Sequence, residues 1–197
     1  WEGFSLQWYS DLLQNEAIIS ALYYTLSVAV LASLLATIIG TVTAIAMYRH
    51  VHPWEREVLL SLTYLPVLNP DIVTGISLML LFIFFQVDLG FVSLLLAHTI
   101  FCVPYVILTI LPKLKQFDYN LYEAALDLGA SPFYAFRKIV FPEILPGIIT
   151  GLLFAFTMSI DDFVISFFTT GSGINNLSIL IYSMARRGIN PTINALS

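Results

Sequence analysis

The sequence has very few charged residues. Only 11% of its 197 residues are Asp, Glu, Lys or Arg, whereas 58% are hydrophobic and 14% are aromatic, and its mean hydropathy is +0.87. This composition excludes an ordinary soluble domain. An integral membrane protein is predicted instead, because a helix needs roughly 20 mainly apolar residues to cross a hydrocarbon core of about 30 Å, and at least four segments qualify.

The sequence also lacks paired cysteines, an excess of positive charge and nucleotide-binding motifs, and each absence excludes a class of structure or function. A single cysteine, Cys102, lies in an apolar segment, so no disulfide framework exists. Eight basic residues against 13 acidic ones give a net charge of -5, which argues against a nucleic-acid partner. The chain also lacks a strand pattern, a P-loop Gly-Lys-Ser/Thr and a dinucleotide motif. Any nucleotide must therefore bind to another chain, and no cofactor or metal is predicted here.

The apolar segments predict an all-α, polytopic membrane helical bundle that forms a single transmembrane domain over residues 1–197. The predicted spans cover residues of about 17–48, 58–85, 91–111 and 144–168. The sequence starts at Trp1 without Met and stops at Ser197 in what reads as the entrance of a further span. We therefore expect one more helix before it and one after it.

Charge asymmetry predicts the orientation. Most basic residues lie in two polar gaps, at residues 49–57 and 113–143, whereas residues 1–16 carry acids and no base. By the positive-inside rule these two gaps are cytoplasmic and the N-terminal end is outside. The exceptions are Arg186 and Arg187, which would be outside.

The longest polar interruption, residues 123–146, predicts a helix, a break and a second helix. The residues that follow Glu123 are good helix formers, and Gly129 can adopt a left-handed terminating conformation. Ser131 followed by Pro132 suits an N-cap and a first helical position. Two short helices set at an angle would form a cytoplasmic knob.

This stretch resembles the EAA signature of ABC-importer permeases. The matching positions are Glu123, Ala124, Ala125, Gly129, Ile139 and Pro142, with Phe141 where Leu is usual. The resemblance extends over essentially the whole chain, because the runs NPDIVTGISLMLLF, AHTIFCVPY, SIDDFVISFFTTG and YSMARRGINPTINALS are similar to permease subunits of spermidine/putrescine importers.

The resemblance implies a type I importer fold in the bacterial plasma (inner) membrane. It implies a sister permease, an ATPase dimer that holds ATP and Mg, and an extracytoplasmic binding protein that hands over the substrate. The chain itself would be a transport subunit and not an enzyme. Glu123 would contact the ATPase cleft, Ala124 and Ala125 would allow close approach, and Gly129 would set the angle. Related permeases carry ferric iron, sulfate or thiamine, so these substrates stay open.

Asp71 lies near the middle of the second predicted span, directly after Asn69 and Pro70. With Pro66, these residues predict a kinked or broken helix that faces the protein interior. An acid at this depth indicates a functional site, and broken helices are a common way to build one. The alternative is structural: Asn69 caps the second half-helix, Pro70 takes its first position and Asp71 stabilises its positive end.

A second acidic site is predicted in the fourth span. Ser159, Asp161 and Asp162 fall in the outer part of the bilayer, where two adjacent carboxylates need a cation or a proton. Arg186 and Arg187 could neutralise the pair instead. Carboxylates at two depths, with Trp and Tyr for cation-π contacts, would match a polyamine with several ammonium groups.

Two further features have competing interpretations. Trp8 lines a vestibule of the pathway or anchors the chain at the membrane surface. His98 and Cys102 lie one turn apart, but without a third ligand a histidine that bonds across a helix interface is favoured over a metal site. A proton-driven secondary carrier remains an alternative function, although it would not need the cytoplasmic knob. An intramembrane aspartyl protease is excluded, because Tyr-Asp and Gly-x-Gly-Asp are missing.

Overall fold

All regular structure in the described part of the chain is helical. The structure, a computed structural model, describes residues 14–49, 52–171, 173–174 and 176–187. The helices of these ranges are, in chain order, α1 Glu16–Arg49, α2 Pro53–Leu68, α3 Asp71–Phe84, α4 Phe91–Gln116, α5 Tyr119–Asp127, α6 Pro132–Ala135, α7 Phe141–Asp161, α8 Val164–Thr169 and α9 Leu177–Arg187. The predicted all-α class is confirmed.

In the part of the chain that the structure describes, three continuous helical segments are long and apolar enough to cross a membrane. They are α1, α4 and the joined segment Pro132–Asp161, whose most apolar windows have mean hydropathies of 2.3, 2.2 and 2.0. The helices α2 and α3 pass the same test only as a pair with a break between them. If this pair is one broken span, the described residues contain four spans, the lower limit predicted from the sequence.

A π-helical turn, Phe136–Val140, joins α6 to α7 without interrupting the helix. Its closing hydrogen bond is donated by the N–H of Phe141 to the carbonyl of Phe136. The next residue, Pro142, has no N–H to donate to Lys138, and its ring would clash with that carbonyl in a regular α-helix. The wider π-turn relieves this clash, so the second half of the signature continues directly into a membrane-spanning helix.

The break predicted in the second span is present between α2 and α3. Asn69 is extended, at φ -76° and ψ 145°, as expected for a residue before proline, and its N–H donates to the carbonyl of Leu65 at 3.1 Å. The second helix begins at Asp71 and not at Pro70. The predicted capping by Asn69 is therefore wrong in detail, because Pro70 occupies the position that precedes the helix.

A second break divides the predicted span over 144–168, so its expected continuity is wrong. The chain leaves the helix at Asp162 and Phe163, between α7 and α8. The Asp162 carboxylate accepts hydrogen bonds from the backbone N–H groups of Ile165 at 3.2 Å and Ser166 at 2.8 Å. It thereby satisfies N–H groups that have no partner within α8, which stabilises a new helix start.

The chain forms two compact units. Unit 1 comprises residues 1–31, 71–98 and 158–197, and unit 2 comprises residues 32–70 and 99–157. Buried apolar side chains of unit 1 include Ile18, Leu94 and Ile165. Those of unit 2 include Val106, Ile110 and Ile144.

Small residues bring the helices of unit 2 close together. A Cβ atom added to Gly40 would lie 2.7 Å from Val106 Cγ1, and one added to Gly151 would lie 2.6 Å from Thr109 Oγ1. The small residues of α1 in unit 2 are buried as well: Ser33, Ala36, Gly40 and Ala44. Close backbone approach through small residues is the usual way that helices associate in lipid.

Candidate functional site

The two helices of the signature both begin at a side-chain cap, but only α5 is short, because α6 continues through the π-helical turn into α7. The carboxylate of Asp118 accepts a hydrogen bond from the N–H of Asn120 at 3.0 Å, at the start of α5. The hydroxyl of Ser131 accepts one from the N–H of Tyr134 at 3.3 Å, and Pro132 takes the first position of α6. The predicted second helix start at Ser131 and Pro132 is therefore confirmed.

The turn between these helices depends on Gly129. Its φ is +87°, its N–H donates to the carbonyl of Leu126 at 2.9 Å, and the N–H of Ala130 donates to the carbonyl of Ala125 at 3.0 Å. These two bonds form a Schellman motif, which requires a left-handed residue at the position of Gly129. A Cβ atom at Gly129 would have no neighbour within 4 Å, so conformation and not space selects glycine here.

The knob presents an exposed surface with both acidic and apolar residues. Glu123 and Ala124 are exposed and Ala125 is half-buried. Nearby, Leu128 is 89% exposed and Phe133 is 73% exposed. On a segment predicted to be cytoplasmic, such apolar exposure next to a carboxylate is typical of a surface that binds another protein.

Tyr122 anchors the knob to the rest of unit 2. Its side chain is fully buried, and together with Leu114, Phe117 and Val140 it lines a small cavity. Arg49, at the end of α1, donates a hydrogen bond from Nη2 to the Tyr122 hydroxyl at 3.2 Å, and its guanidinium carbon lies 4.9 Å from the ring centroid. A cation-π contact and a hydrogen bond therefore join α5 to the end of a membrane-spanning helix.

Asp71 is exposed in the first turn of α3. One turn further on, α3 packs against α8: a Cβ atom on Gly75 would lie 3.5 Å from the Cα of Ile165. The starts of these two helices, both in unit 1, are therefore neighbours. Each start has an acid in or before its first turn, Asp71 for α3 and Asp162 for α8, where the helix dipole favours negative charge.

Ser159 and Asp162 converge on His98, which is 1% exposed. His98 Nδ1 lies 2.7 Å from the Ser159 hydroxyl, and Nε2 lies 2.9 Å from the Ser166 hydroxyl and 3.6 Å from Asp162 Oδ2. The amide of Asn176 donates a further hydrogen bond to Ser166. We call these five residues the His98 cluster. The prediction that His98 bonds across a helix interface is confirmed.

The two adjacent acids have different environments. Asp161 is exposed and has no ion pair with any described residue, whereas the side chain of Asp162 is only 5% exposed. Within the described residues Arg186 forms no ion pair with either acid. The side chain of Arg187 and the whole of Trp8 lie outside the described residues, so their predicted roles stay predictions.

Sequence reasoning missed three residues of these sites. Ser166 and Asn176 give no local signal, because a serine and an asparagine in or beside an apolar helix have many possible partners. Tyr122 directly precedes the signature, but only long-range contact identifies it as an anchor. No group of three or more His, Cys, Asp or Glu residues that could hold a metal ion occurs in the described ranges.

The family described as "Binding-protein-dependent transport system inner membrane component" matches residues 36–190. The spermidine/putrescine transport system permease protein PotC of Escherichia coli (strain K12) is 42% identical over 197 residues, which cover 100% of this chain and 74% of that protein. The putrescine transport system permease protein PotI of the same strain is 39% identical over 203 residues, which cover 100% of this chain and 72% of that protein.

A solved structure shows the same fold. The inward-facing MetNI methionine ABC transporter matches with a TM-score of 0.70 over 96% of this chain and 87% of that chain, at 17% identity. At this identity the likeness shows the fold alone. It confirms the helical architecture of an importer permease.

Proposed function

This chain belongs to the family of binding-protein-dependent transport system inner membrane components, and from this membership we propose that it is the permease subunit of an ATP-driven polyamine importer. The observation that carries the proposal is the 42% identity to a spermidine/putrescine permease protein over the full length of this chain. The cargo would be spermidine or putrescine, delivered by an extracytoplasmic binding protein. A sister permease would complete the pathway in the inner membrane.

The energy would come from a separate ATPase dimer that contacts the knob. Glu123, with the exposed Leu128 and Phe133, would enter a cleft of the ATPase, and Ala124 would allow close approach. Closure of the ATPase dimer would then move the knob as a rigid piece, because both of its helices are capped and its turn is fixed at Gly129. The Tyr122 anchor would pass this movement to α1.

Along the pathway, carboxylates of unit 1 would contact the substrate. Asp71 and Asp161 are exposed and have no ion pair with a described residue. Uncompensated acids in membrane-spanning segments indicate a cation pathway. A polyamine carries ammonium groups separated by short alkyl stretches, so two acids on neighbouring helix starts suit it better than a single charge. Ser159 and Asp162 would lie beside this pathway, and Trp8 remains a predicted part of it.

The test uses the complete transporter in proteoliposomes: this chain, its sister permease, the ATPase and the binding protein. We expect ATP-dependent uptake of spermidine or putrescine, and we expect that Asp71→Asn and Asp161→Asn each reduce it. The matched control is Asp88→Asn, which removes an exposed acid from the turn between α3 and α4. Reductions no larger than that of the control would show that Asp71 and Asp161 are not pathway residues.

The same preparation distinguishes the other functions. Uptake that needs no ATPase would indicate a proton-coupled carrier. Stimulation of the ATPase by binding proteins loaded with ferric iron, sulfate or thiamine, and not by one loaded with a polyamine, would assign another substrate to the same architecture. Glu123→Lys should abolish association with the ATPase, whereas Glu57→Lys, an exposed acid outside the knob, should not.

A further inference from the structure

The His98 cluster lies across the break between α7 and α8. Ser159 is in α7 and Ser166 is in α8, and one imidazole ring contacts both at 2.7 and 2.9 Å. Since Asp162 Oδ2 is 3.6 Å from Nε2, its negative charge favours a proton on Nε2. With this tautomer Nε2–H donates to Ser166, and the Ser159 hydroxyl donates to Nδ1. His98 therefore links the two halves of the broken helix.

Asp162 and Ser159 are both committed to contacts inside the protein. The Asp162 oxygens accept hydrogen bonds from Ile165 and Ser166 N–H groups at 3.2 and 2.8 Å. The Ser159 hydroxyl, 2% exposed, is engaged with His98. The Asp162 side chain is also only 5% exposed, so little of its carboxylate is accessible to a substrate ammonium group. Asp161 has no such engagement among the described residues.

We infer that His98 is a positioning residue of the translocation pathway: through Ser159, Ser166 and Asp162 it fixes the break between α7 and α8, and thereby presents Asp161 to the substrate. This inference rests on the proposed function. It assigns different roles to two adjacent acids, because Asp161 meets the cation whereas Asp162 holds the helix start. Ser159 acts through His98 and does not contact the substrate.

The cluster is also connected to the rest of unit 1. Asn176 donates to Ser166 and accepts the N–H of Ile179 at 3.0 Å, so it caps α9 as well. The N–H of Leu177 donates to the Thr25 hydroxyl of α1 at 2.7 Å. The cluster is thus joined through Asn176 to the start of α9, which in turn contacts α1. Loosening of the cluster should change where Asp161 points before it changes whether the protein folds.

Double-mutant cycles with Asp161→Asn test the inference in the complete transporter. The readout is the number of ATP molecules hydrolysed per polyamine imported, which a general loss of folded protein does not change. We expect His98→Gln, and the milder Ser159→Ala, to raise this ratio about fivefold in the wild-type background. In the Asp161→Asn background each should add less than about twofold, because the residue that they position is already neutral.

The matched control is Ser93→Ala. Ser93 is another fully buried serine of unit 1, and its hydroxyl donates to the carbonyl of Thr169 in α8 at 2.8 Å, outside the His98 cluster. The fold-changes that Ser93→Ala and Asp161→Asn cause in the ratio of ATP to polyamine should be independent, so that they multiply in the double mutant. Two results would overturn the positioning role of His98. One is that Ser93→Ala and Ser159→Ala show equal coupling to Asp161→Asn in the ratio of ATP to polyamine. The other is that the effects of His98→Gln and Asp161→Asn on this ratio are independent.

Two further outcomes separate this inference from the proposed function. If Asp162→Asn lowers uptake as much as Asp161→Asn while Ser159→Ala has no effect, Asp162 contacts the substrate directly and the inference is wrong. If the wild-type complex imports no polyamine, the proposed function fails. In that case the cycles are measured with the substrate that is transported, and coupling between His98→Gln and Asp161→Asn still decides the positioning role.

Discussion

Replacement of Gly129 by alanine should uncouple the knob from its ATPase without filling any space. The φ of +87° is a conformation that costs an L-residue about 1–2 kcal/mol. Apart from its own chain neighbours, no atom lies within 4 Å of the added Cβ, so the cost comes from the contact of Cβ with the local backbone and not from packing against other residues. The strain acts on a turn closed by only two hydrogen bonds, from Gly129 to Leu126 and from Ala130 to Ala125.

The magnitude of this effect follows from the strain. A penalty of about 1–2 kcal/mol changes the ratio of formed to opened turn by a factor of about 5–30. When the turn is open, the two helices of the knob have no fixed geometry, so the closing movement of the ATPase dimer is not transmitted to the membrane-spanning helices. We therefore expect uptake driven by the loaded binding protein to fall at least about fivefold in Gly129→Ala, with ATP hydrolysis less affected. Both rates are measured in the same proteoliposomes.

Two controls separate conformation from volume. Gly129→Asn adds a larger side chain but should lose less than about half of the uptake, because asparagine tolerates the left-handed region. Gly90→Ala adds the same methyl group in an equally open place, at a residue whose φ is not positive, and should behave like the wild type. Wild-type uptake by Gly129→Ala, or equal damage from alanine and asparagine, would refute the reasoning.

Three further predictions concern the anchor, the packing and the cap. Tyr122→Phe removes only the hydroxyl that accepts a hydrogen bond from Arg49 and should lower the free energy of unfolding by about 1 kcal/mol. Tyr122→Ala also leaves a cavity and should lower it by about 3–5 kcal/mol. Equal thermal unfolding of the two purified variants would contradict the role of Tyr122 as an anchor. Gly151→Ala places a methyl group against Thr109 and should cost about 1–3 kcal/mol, part of which Thr109→Ala should restore in the same unfolding assay. Asp118→Ala should lower ATPase association through loss of the α5 cap, about 1 kcal/mol, while Asp118→Asn should not.

The knob could be predicted from the sequence because its determinants are local. Gly129 supplies the left-handed residue of the turn, and Ser131 with Pro132 supplies the next helix start, all within a few residues. The same holds for the break before Asp71, where Pro70 cannot continue the hydrogen-bond ladder of α2. Tyr122 could not be predicted as the anchor, because the contact with Arg49 joins residues 73 positions apart.

The break between α7 and α8 could not be predicted for a physical reason. No proline or glycine marks it, and an aspartate in an apolar run gives no indication whether its carboxylate faces a substrate or caps a helix. The cap bonds from Ile165 and Ser166 are local, but the burial of Asp162 against His98 depends on a residue that is distant in sequence. Two neighbouring carboxylates of the same chemistry therefore acquire different environments only through the tertiary structure.

This difference bears on how the two broken helices would work. The short α8 packs against α3 at Gly75, one turn after Asp71, and each of the two helices begins beside an acid. In α8 that acid is committed to the helix itself, so the charge available to a cation there is Asp161, just before the break. In α3 the available charge is Asp71, within the first turn. A polyamine that bridged these two acids would be held by both helix starts at once, and a small displacement of either start would release one of its ammonium groups.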